Sequence, residues 1–548
     1  DSLAALGHVF RSRSDTEVVL HAFLEWDTDA FARLDGIFAF ALWQKAERRL
    51  VLVRDRLGVK PLFCCPTRSG LVFGSTIDTV LCHPEAEPVL DEDGLRTVLL
   101  LGPARPPESG VFRGISSLLP GSFAVLTPEG FRRTAYWRLE AHEHEDDLDA
   151  TVQRTHDLIT DAAQRQLVSD VPLACFLSGG LDSSILSAVA ARAYAARNET
   201  LHTWSVDYRE NQRYFVKNSF QPTDDRDFAA LMTDFLGTHH HRVVLDPEAV
   251  CAALRPAAEA RGLPGMADVD SSLLLFCAAV KRGGTTVCLS GECADELFGG
   301  YPYYQECLAF APYMMVPAPA RRALAAAARH LPEGIHGRRF LMRGAHPLPE
   351  RYIRLEYNFP WAEALDLLAP ELGARCAAAP TPWELAAPLF AEIEADEITA
   401  MQTADILTWM QQDILLKADK MSMASSLELR VPFLDREVFA LASTLPASQR
   451  VGRRETKIAL RAAAARTLPQ ATAAMPKQGF VTPLAQWLQE EPWHSQVREV
   501  LNGERSRRFF RTDRLNALLD EHQRGARSHM KKIWSAYCFL IWHEQYFS

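Results

Sequence analysis

Two different patterns of apolar and polar positions divide this chain. From Phe31 to about Tyr136, short alternating or apolar runs are separated by turn residues, as in FAFALWQ, KAERR and LVLVRD. Such runs predict a mostly β region that contains hairpins. Around His142 to Asp149, a run of His, Glu and Asp predicts a linker before the helical sequence DLDATVQRTHDLITDAAQRQL.

Beyond this linker, apolar strands alternate with helical stretches. VPLACFL, HTWSVDY, HRVVL and TTVCLS are strand-like, and SSILSAVAARAYAAR and RDFAALMTDFLG are helical. This alternation predicts a parallel sheet with helices on both faces. Ligands of such sheets bind at the carboxyl ends of the strands, where FLSGGLDSS and LSGECADE lie. From Glu306 onward the sequence is chiefly helical and rich in Ala and Leu.

Composition narrows the class of partner. The chain has 548 residues, enough for two or three domains, and its 59 Lys and Arg against 69 Asp and Glu give a net charge of -10. This acidic balance argues against a nucleic-acid partner. The 11 Cys show no CxxC pair, so we interpret most of them as small buried residues in a cytoplasmic protein. No apolar run reaches membrane-spanning length, and we expect no membrane partner.

The loop SGGLDSS follows a strand and opens a helix, an arrangement that favours an anion such as phosphate. It lacks the Lys of a GxxxxGK[ST] loop, so we expect it to hold a released pyrophosphate rather than to promote γ-phosphate transfer. Asp182 in such a site would repel phosphate unless Mg²⁺ bridged them, and Asp295 is the expected second carboxylate. The alternative is an ordinary strand-to-helix turn with a Ser cap.

Five motifs, taken in order, resemble the synthetase domain of glutamine-dependent asparagine synthetases. They are SGGLDSS, LSGECADELFGGY, KADKMSMASSLELRVPFLD, ETKIALR and KQGFVTPLAQWL. The resemblance implies an α/β and α+β fold class. A partial N-terminal nucleophile hydrolase-type glutaminase domain at 1–140 would precede a doubly wound parallel-sheet ATP pyrophosphatase domain at 150–548, whose C-terminal part is helical.

The same resemblance implies residue roles. Asp182 and Asp295 would bind magnesium pyrophosphate, and Lys457 would stabilise charge at the α-phosphorus. Glu292 matches the glutamate needed to form the intermediate and is also placed to take a proton from ammonia. Arg430 would contact a substrate carboxylate or the α-phosphate, or else form a structural ion pair with Glu428 or Asp435. ATP would lie against Phe176, Leu177, Ser178, Gly179, Gly180, Asp182, Ser183, Ser184, Val206, Ser290 and Gly291.

The first part of the chain resembles the later portion of a class II glutaminase domain. The matching segments are SRSDTEVVLHAF, LDGIFAFALW and RDRLGVKPLF, and they imply that Asp15 contacts the α-amino group of glutamine. In that family the nucleophile is an N-terminal Cys, whereas residue 1 here is Asp and the first Cys is Cys64. We therefore expect a fragment that lacks the front of its glutaminase domain and uses ammonia from solution.

The expected function is ATP-dependent amidation of aspartate through β-aspartyl-AMP, with glutamine or ammonia as nitrogen source and ATP and Mg²⁺ as cofactors. We also allow for a homodimer. The stretch GMADVDSS departs from the family pattern near the aspartate pocket and leaves the acceptor open, so adenylation of another carboxylate, as in β-lactam synthetases, is the nearest alternative. A tRNA-modifying adenylase is a further alternative, and the acidic charge of the chain argues against it. An inactive scaffold is another, and the presence of Asp182, Asp295, Glu292 and Lys457 argues against it.

Overall fold

The computed structural model describes the chain except residues 69, 108–109, 140–142, 215–224, 333–334, 357–360, 392, 394, 478, 480–481 and 548. The chain folds into two compact units. The first comprises Asp1–Glu87 and Gly114–His142, and the second comprises Pro88–Arg113 and Glu143–Ser548. The sequence-based domain bounds stay a prediction, and they differ from these units because 88–113 packs with the second unit.

The first unit is built on two antiparallel sheets. Its strands are β1 (Ala39–Gln44), β2 (Arg49–Arg54), β3 (Phe63–Thr67), β4 (Gly70–Gly74), β5 (Ser116–Ser117), β6 (Ser122–Thr127) and β7 (Gly130–Ala135). One sheet has the order β1-β2-β6-β7 and the other β4-β3-β5. The predicted hairpin forms between β1 and β2, with Ala39 opposite Arg54 and Gln44 opposite Arg49. The helices of this unit are Ser2–Ala5, Asp15–Trp26, Ala30–Arg33 and Ile77–Leu81.

The second unit contains the predicted parallel sheet. Its strands are β8 (Leu173–Phe176), β9 (His202–Tyr208), β10 (His239–Leu245), β11 (Val287–Leu289) and β12 (Glu428–Arg430). Their order is β10-β9-β8-β11-β12, and every neighbouring pair is parallel. The strand order therefore reverses between β8 and β11. Such a switch point is where doubly wound sheets bind their ligands.

Both faces of the inner strands β8 and β11 are buried, which explains why these strands are apolar rather than alternating. On β8, Ala174 packs into a core cluster with Phe276 and Cys288, whereas Cys175 packs into a second cluster with Leu289. Successive side chains of a strand point to opposite faces, so these two clusters lie on opposite sides of the sheet. All 11 Cys are free thiols, and all except Cys82 are buried, as the sequence predicted for most of them.

Helices make up most of the rest of the second unit. Up to residue 298 they are Glu92–Leu101, Leu148–Arg165, Leu181–Ala195, Asn211–Tyr214, Asp225–Leu236, Pro247–Ala252, Leu254–Arg261, Ala267–Arg282 and Ala294–Phe298. Between residues 302 and 423 they are the 3-10 turn Pro302–Tyr304, Gln305–Met314, Ala318–Arg329, Arg338–Arg343, Leu348–Glu356, Trp361–Leu367, Pro370–Ala378, Pro382–Ala391, Glu397–Asp405, the π-helical segment Ile406–Ile414 and Leu415–Met423.

The chain ends in a further group of helices, which confirms the predicted helical C-terminal part. They are Arg436–Thr444, Ala447–Arg450, Ile458–Ala464, Gln470–Ala473, Leu484–Trp487, Trp493–Asn502, Glu504–Phe509, Thr512–Gln523 and Met530–Tyr546. Among the described residues, the structure has no helix whose length and apolar character would let it cross a bilayer.

Candidate active site

The loop FLSGGLDSS joins β8 to the helix Leu181–Ala195. Its first hydrogen bond runs from the Leu177 amide to the Trp204 carbonyl of the neighbouring strand at 2.8 Å. The Ser178 hydroxyl accepts the Gly180 amide at 3.3 Å and lies 3.1 Å from the hydroxyl oxygen of Ser183. Gly180 is the residue before the helix and has no side chain to cap it. The free amides at this helix start therefore face the end of the sheet, where they can bind an anion.

Two glycines allow neighbouring backbones to approach the loop after β8 closely. Gly179 has φ +85°, and a Cβ atom added to it would lie 2.4 Å from the Ala229 amide nitrogen. A Cβ atom on Gly291 would lie 2.7 Å from the Ser183 amide nitrogen. Any other residue would force these backbones apart. The Ser290–Gly291 turn consequently packs directly on the start of the helix that follows SGGLDSS.

The remaining residues predicted to contact ATP lie close to this turn or on the adjacent strand. Phe176 ends β8 and packs against Phe276 with 4.9 Å between ring centroids. Val206 lies on β9 and packs against the same core cluster. Ser184 is fully buried, and its hydroxyl has no hydrogen-bond partner among the described residues. The sheet thus brings the predicted set to one end of β8, β9 and β11.

Four charged side chains meet at this end of the sheet. The Lys457 ammonium nitrogen lies 2.7 and 2.6 Å from the two carboxylate oxygens of Asp182 and 2.7 Å from Oδ1 of Asp295. The Lys477 ammonium nitrogen lies 2.6 Å from Oδ2 of Asp295. Two of these residues follow strands, and two come from distant positions between helices. The structure thus brings together Asp182, Asp295 and Lys457, as the sequence analysis predicted, and adds Lys477.

The contact of Lys457 with Asp295 depends on the positive φ angle of Lys457 and on the missing side chain of Gly300. Lys457 precedes the helix Ile458–Ala464 and has φ +56°, a conformation that side-chain-bearing residues seldom adopt. A Cβ atom on Gly300 would lie 1.9 Å from Oδ1 of Asp295 and 2.4 Å from Cε of Lys457. Strained backbone of this kind concentrates at functional sites.

Lys477 is the charged residue that sequence reasoning missed. A signal was present, since KQGFVTPLAQWL carries the family resemblance and Lys477 is its one charged residue. We assigned no role to it because nothing in the linear sequence shows that this segment returns to the loop after β11. Lys477 also lies over the Tyr301 ring, 5.8 Å from its centroid.

The electrostatics of the cluster follow from this pairing. Burial raises the pKa of Asp295, but the ammonium groups of Lys457 and Lys477 outweigh burial and lower it to about 2. Burial likewise lowers the pKa of Lys477, and the carboxylates of Asp295 and Asp182 outweigh it, so that this pKa is raised. Asp295 and Lys477 are therefore charged near neutral pH. Burial raises the pKa of Asp182, and the charge of Lys457 opposes this.

Two carboxylates of this cluster are candidate ligands for Mg²⁺. Asp182 and Asp295 both contact the same ammonium group, so their carboxylates converge on one place. Among the described residues no group of three or more His, Cys, Asp or Glu could hold a metal ion alone. Mg²⁺ usually takes one or two protein carboxylates and fills its other positions with water and phosphate oxygens. The two carboxylates therefore fit a magnesium ion that is shared with a bound phosphate chain.

Glu292 lies one residue beyond the Ser290–Gly291 turn and is partly buried. Burial raises its pKa to about 7; Lys417 opposes this, and Glu296 and Asp413 reinforce it. Oxygen Oε2 of Glu292 has no hydrogen-bond partner among the described residues. A carboxyl group with this pKa can gain and lose a proton near neutral pH, as a general base must.

A buried ionic network lies beside Glu292. Arg261 donates to Asp270 at 3.1 Å and to Asp413 at 2.7 Å, and Lys417 donates to Asp413 at 3.2 Å. Asp270 belongs to GMADVDSS, the segment that departs from the family pattern. The other acidic residue of that segment, Asp268, accepts the Trp534 indole N–H at 2.7 Å. Both of its carboxylates are therefore paired within the protein.

Arg430 makes several contacts within the protein. Its guanidinium donates to the Gln166 and Val168 carbonyls at 2.6 and 2.7 Å and to Glu428 at 2.7 Å. These contacts form the ion pair with Glu428 that was one of the two alternatives, and the contact of Arg430 with substrate stays a prediction. Asp435, the other suggested partner, instead binds Arg165 at 2.8 Å.

Asp15 lies in the first unit, at the exposed start of the helix Asp15–Trp26. The preceding Ser14 caps this helix by accepting the Thr16 amide at 3.2 Å. Glu17 accepts the Arg11 and Ser12 amides at 2.8 and 2.7 Å and so fixes the segment SRSDTE. The contact of Asp15 with glutamine stays a prediction.

Two family models match this chain. The asparagine synthase family model matches residues 154–544, and the glutamine amidotransferase domain model matches residues 1–137. Asparagine synthetase [glutamine-hydrolyzing] 3 of Bacillus subtilis is 37% identical over 85% of this chain and 70% of its own length.

Two further relatives match nearly the whole chain. A putative asparagine synthetase [glutamine-hydrolyzing] of Mycobacterium bovis is 34% identical over 98% of this chain and 80% of its own length. Asparagine synthetase [glutamine-hydrolyzing] 1 of Bacillus subtilis is 32% identical over 99% of this chain and 83% of its own length. Among solved structures, the glutamine phosphoribosylpyrophosphate amidotransferase of Bacillus subtilis is 17% identical over 40% of this chain and 45% of its own, with a TM-score of 0.18, too low to support an argument. The family models and these relatives show that the chain belongs to the asparagine synthase family.

Proposed function

We propose that this protein converts aspartate to asparagine in an ATP-dependent reaction that passes through β-aspartyl-AMP and releases AMP and pyrophosphate. One observation carries the proposal. Asp182, Asp295, Lys457 and Lys477 converge at the switch point of the sheet, and Glu292 follows the adjacent turn. Adenylation needs this combination, because it separates a highly charged leaving group from the α-phosphorus.

In the first half-reaction, the β-carboxylate of aspartate forms a bond to the α-phosphorus, and the bond from that phosphorus to pyrophosphate breaks. The amides of SGGLDSS and its hydroxyls would hold the phosphate chain. Lys457 and Lys477 would exchange their carboxylate partners for phosphate oxygens and neutralise the charge that builds up on them. A magnesium ion held by Asp182 and Asp295 would supply further positive charge to the same oxygens.

In the second half-reaction, ammonia attacks the β-carbonyl carbon, and the bond from this carbon to AMP breaks. The attacking nitrogen must lose a proton, and Glu292 is the group we propose to accept it. Its pKa of about 7 and its free oxygen Oε2 suit that task near neutral pH. Cys293 follows Glu292 at φ +72° and turns the chain into the helix Ala294–Phe298, whose first turn carries Asp295.

We infer that glutamine is the natural source of nitrogen. The support is the glutamine amidotransferase match over residues 1–137 together with the printed names of the relatives. Asp15 would contact the glutamine amino group. We also propose that the protein is cytoplasmic and that it forms a homodimer. None of the observations favours a carboxylate other than that of aspartate as the acceptor.

The test is product analysis of the purified chain with MgATP and aspartate, supplied in parallel with ammonium or with glutamine. We expect asparagine, AMP and pyrophosphate in equal amounts with ammonium. Parallel reactions with glutamate in place of aspartate control for the acceptor. AMP formation with glutamate but not with aspartate would contradict the proposal. The glutamine reaction measures whether this chain also takes nitrogen from glutamine.

A further inference from the structure

One loop forms a side of the charged cluster and contacts most of its members. We call the residues Gly299–Tyr304, with sequence GGYPYY, the GGYPYY wall. The Gly300 amide donates to the Asp295 carbonyl at 2.8 Å, and its α-carbon lies against the side chains of Asp295 and Lys457. The ring of Tyr301 lies under the ammonium of Lys477. The position of this wall therefore sets where both lysines stand.

The wall is held from behind by one buried carboxylate. Asp405 is fully buried, and its Oδ2 accepts the hydroxyl groups of both Tyr303, at 2.7 Å, and Tyr304. Its other oxygen, Oδ1, accepts the Tyr352 hydroxyl at 2.6 Å. Three hydroxyl donors on one carboxylate make a charge-assisted network, which is stronger and geometrically stricter than neutral hydrogen bonds.

The helix that carries Asp405 also forms hydrogen bonds with the segment just before the wall. On Glu397–Asp405, the Gln402 amide donates to the Glu296 carbonyl at 2.8 Å. Trp409, in the π-helical segment that continues this helix, donates to the Tyr301 hydroxyl at 3.2 Å, and that hydroxyl donates to Glu296. A single helical stretch therefore fixes both ends of the wall. Such π-helical interruptions recur at functional sites.

The tyrosine rings transmit this constraint to the site. Tyr301 stacks on Tyr303 with 5.1 Å between centroids and an interplanar angle of 11°. Tyr303 in turn contacts Tyr304 edge to face at 4.7 Å. Packed aromatic rings move together, because a gap of less than one ångström already loses much of their contact energy. A shift of Tyr304 would therefore displace the ring beneath Lys477.

We propose that Asp405 is a positioning residue for adenylation, which acts through Tyr303 and Tyr304 to hold the GGYPYY wall against Asp295, Lys457 and Lys477. This inference rests on the proposed function of the site. It assigns a task to a buried carboxylate that accepts hydrogen bonds from Tyr303, Tyr304 and Tyr352. Asp405 provides no charge to the substrate, and its effect is on the geometry with which the lysines meet the phosphate chain.

The chain offers a matched pair of variants for the test. Tyr304→Phe and Tyr352→Phe each remove one hydroxyl from Asp405, and both tyrosines are buried. Tyr304 belongs to the wall, whereas Tyr352 lies on the separate helix Leu348–Glu356. A purely structural role predicts that the two variants behave alike. A positioning role predicts that they differ at the site.

Two readouts are measured on wild type and both variants: binding of magnesium pyrophosphate by calorimetry, and the kcat and KM of AMP formation with MgATP and aspartate. We expect Tyr304→Phe to weaken pyrophosphate binding and to lower kcat by roughly tenfold or more, since small misplacements of catalytic groups cost this much. We expect Tyr352→Phe to stay within about twofold of wild type, although both variants lower the Tm to a similar extent. Tyr303→Phe should follow Tyr304→Phe.

The conservative variant Asp405→Asn keeps one acceptor oxygen, so it should retain more pyrophosphate binding than Asp405→Ala. Equal losses in Tyr304→Phe and Tyr352→Phe, or no loss in either, would overturn the positioning role. A wild-type protein that binds magnesium pyrophosphate but forms no AMP with aspartate would contradict only the proposed function. In that case, pyrophosphate binding by Tyr304→Phe and Tyr352→Phe would still test the role of Asp405. A wild-type protein without pyrophosphate binding would overturn both.

Discussion

The ammonium nitrogen of Lys457 lies within 2.7 Å of both carboxylate oxygens of Asp182, although 275 positions separate the two residues. The contact joins the loop after the first strand of the parallel sheet to the start of a helix near the end of the chain. It defines the phosphate side of the site, because Asp295 shares the same ammonium group.

Replacing either lysine of the cluster should abolish most adenylation. We expect Lys457→Met and Lys477→Met each to lower the rate of pyrophosphate release by roughly 10²–10³, the range seen when one preorganised charge partner of a transition state is lost. Lys281→Met is the control, since Lys281 donates to Thr286 at 3.1 Å, just before the amino end of β11. Full activity in Lys477→Met would show that this residue has no part in the reaction.

The rate with ammonia should depend on the ionisation of Glu292. Its pKa of about 7 lies above the ordinary value of 4.5, so the group is protonated, and unable to accept a proton, at pH 6. At a constant concentration of free ammonia, we expect the kcat of wild type to rise as the pH increases through about 7. The Glu292→Gln variant should have a low kcat that shows no such rise. The exposed Glu248 provides the control variant Glu248→Gln, whose profile should match wild type. A Glu292→Gln protein that kept the same inflection would assign it to another group.

The same raised pKa predicts a cost in stability. Between pH 4.5 and 7 the unfolded chain ionises Glu292 while the folded protein keeps it protonated, so ionisation favours unfolding as the pH rises. We therefore expect Glu292→Gln to have a higher Tm than wild type at pH 8, and the difference to vanish below pH 4.5. Thermal denaturation at both pH values measures this. A Tm difference between Glu292→Gln and wild type that grew as the pH fell would contradict the raised pKa of Glu292.

The two glycines of the phosphate loop should differ in their tolerance of alanine. Gly179→Ala combines φ +85° with a Cβ atom only 2.4 Å from backbone, so we expect a loss of several degrees in Tm. Gly180 has φ -66°, and its nearest neighbour to a Cβ atom is the Ser178 hydroxyl at 3.3 Å, so Gly180→Ala should fold almost normally. Equal thermal stability of the two variants would show that the loop relaxes around residue 179.

Arg430 should matter for stability rather than for substrate binding. Its guanidinium bonds two carbonyls and Glu428, so Arg430→Gln should lose about 1–3 kcal/mol from charge-assisted hydrogen bonds. We expect a lower Tm with unchanged KM for aspartate and ATP. Steady-state kinetics and thermal denaturation of one preparation check both. A raised KM at unchanged Tm would restore the substrate contact that the sequence analysis assigned to this residue.

The sequence by itself determined the local parts of the site. Apolar strands that alternate with helices specify a parallel sheet, because side chains buried on both faces leave no other arrangement for such strands. The glycines and hydroxyls of SGGLDSS lie next to one another in the chain, so their strand-to-helix turn and its affinity for an anion follow from local backbone geometry. The pairing of Asp182 with Asp295 was also predictable, since both follow strands whose carboxyl ends meet at one edge.

Only the tertiary structure decided which distant side chains complete the site. Arg430 and Lys477 both lie in motifs that carry the family resemblance, yet Arg430 turns toward backbone carbonyls and Lys477 toward Asp295. The direction of a long side chain depends on which neighbours can satisfy its charge in a buried place, and those neighbours come from segments hundreds of residues away. The role of Asp405 could not be predicted from the sequence either, because its three tyrosine donors become neighbours only when separate helices pack together.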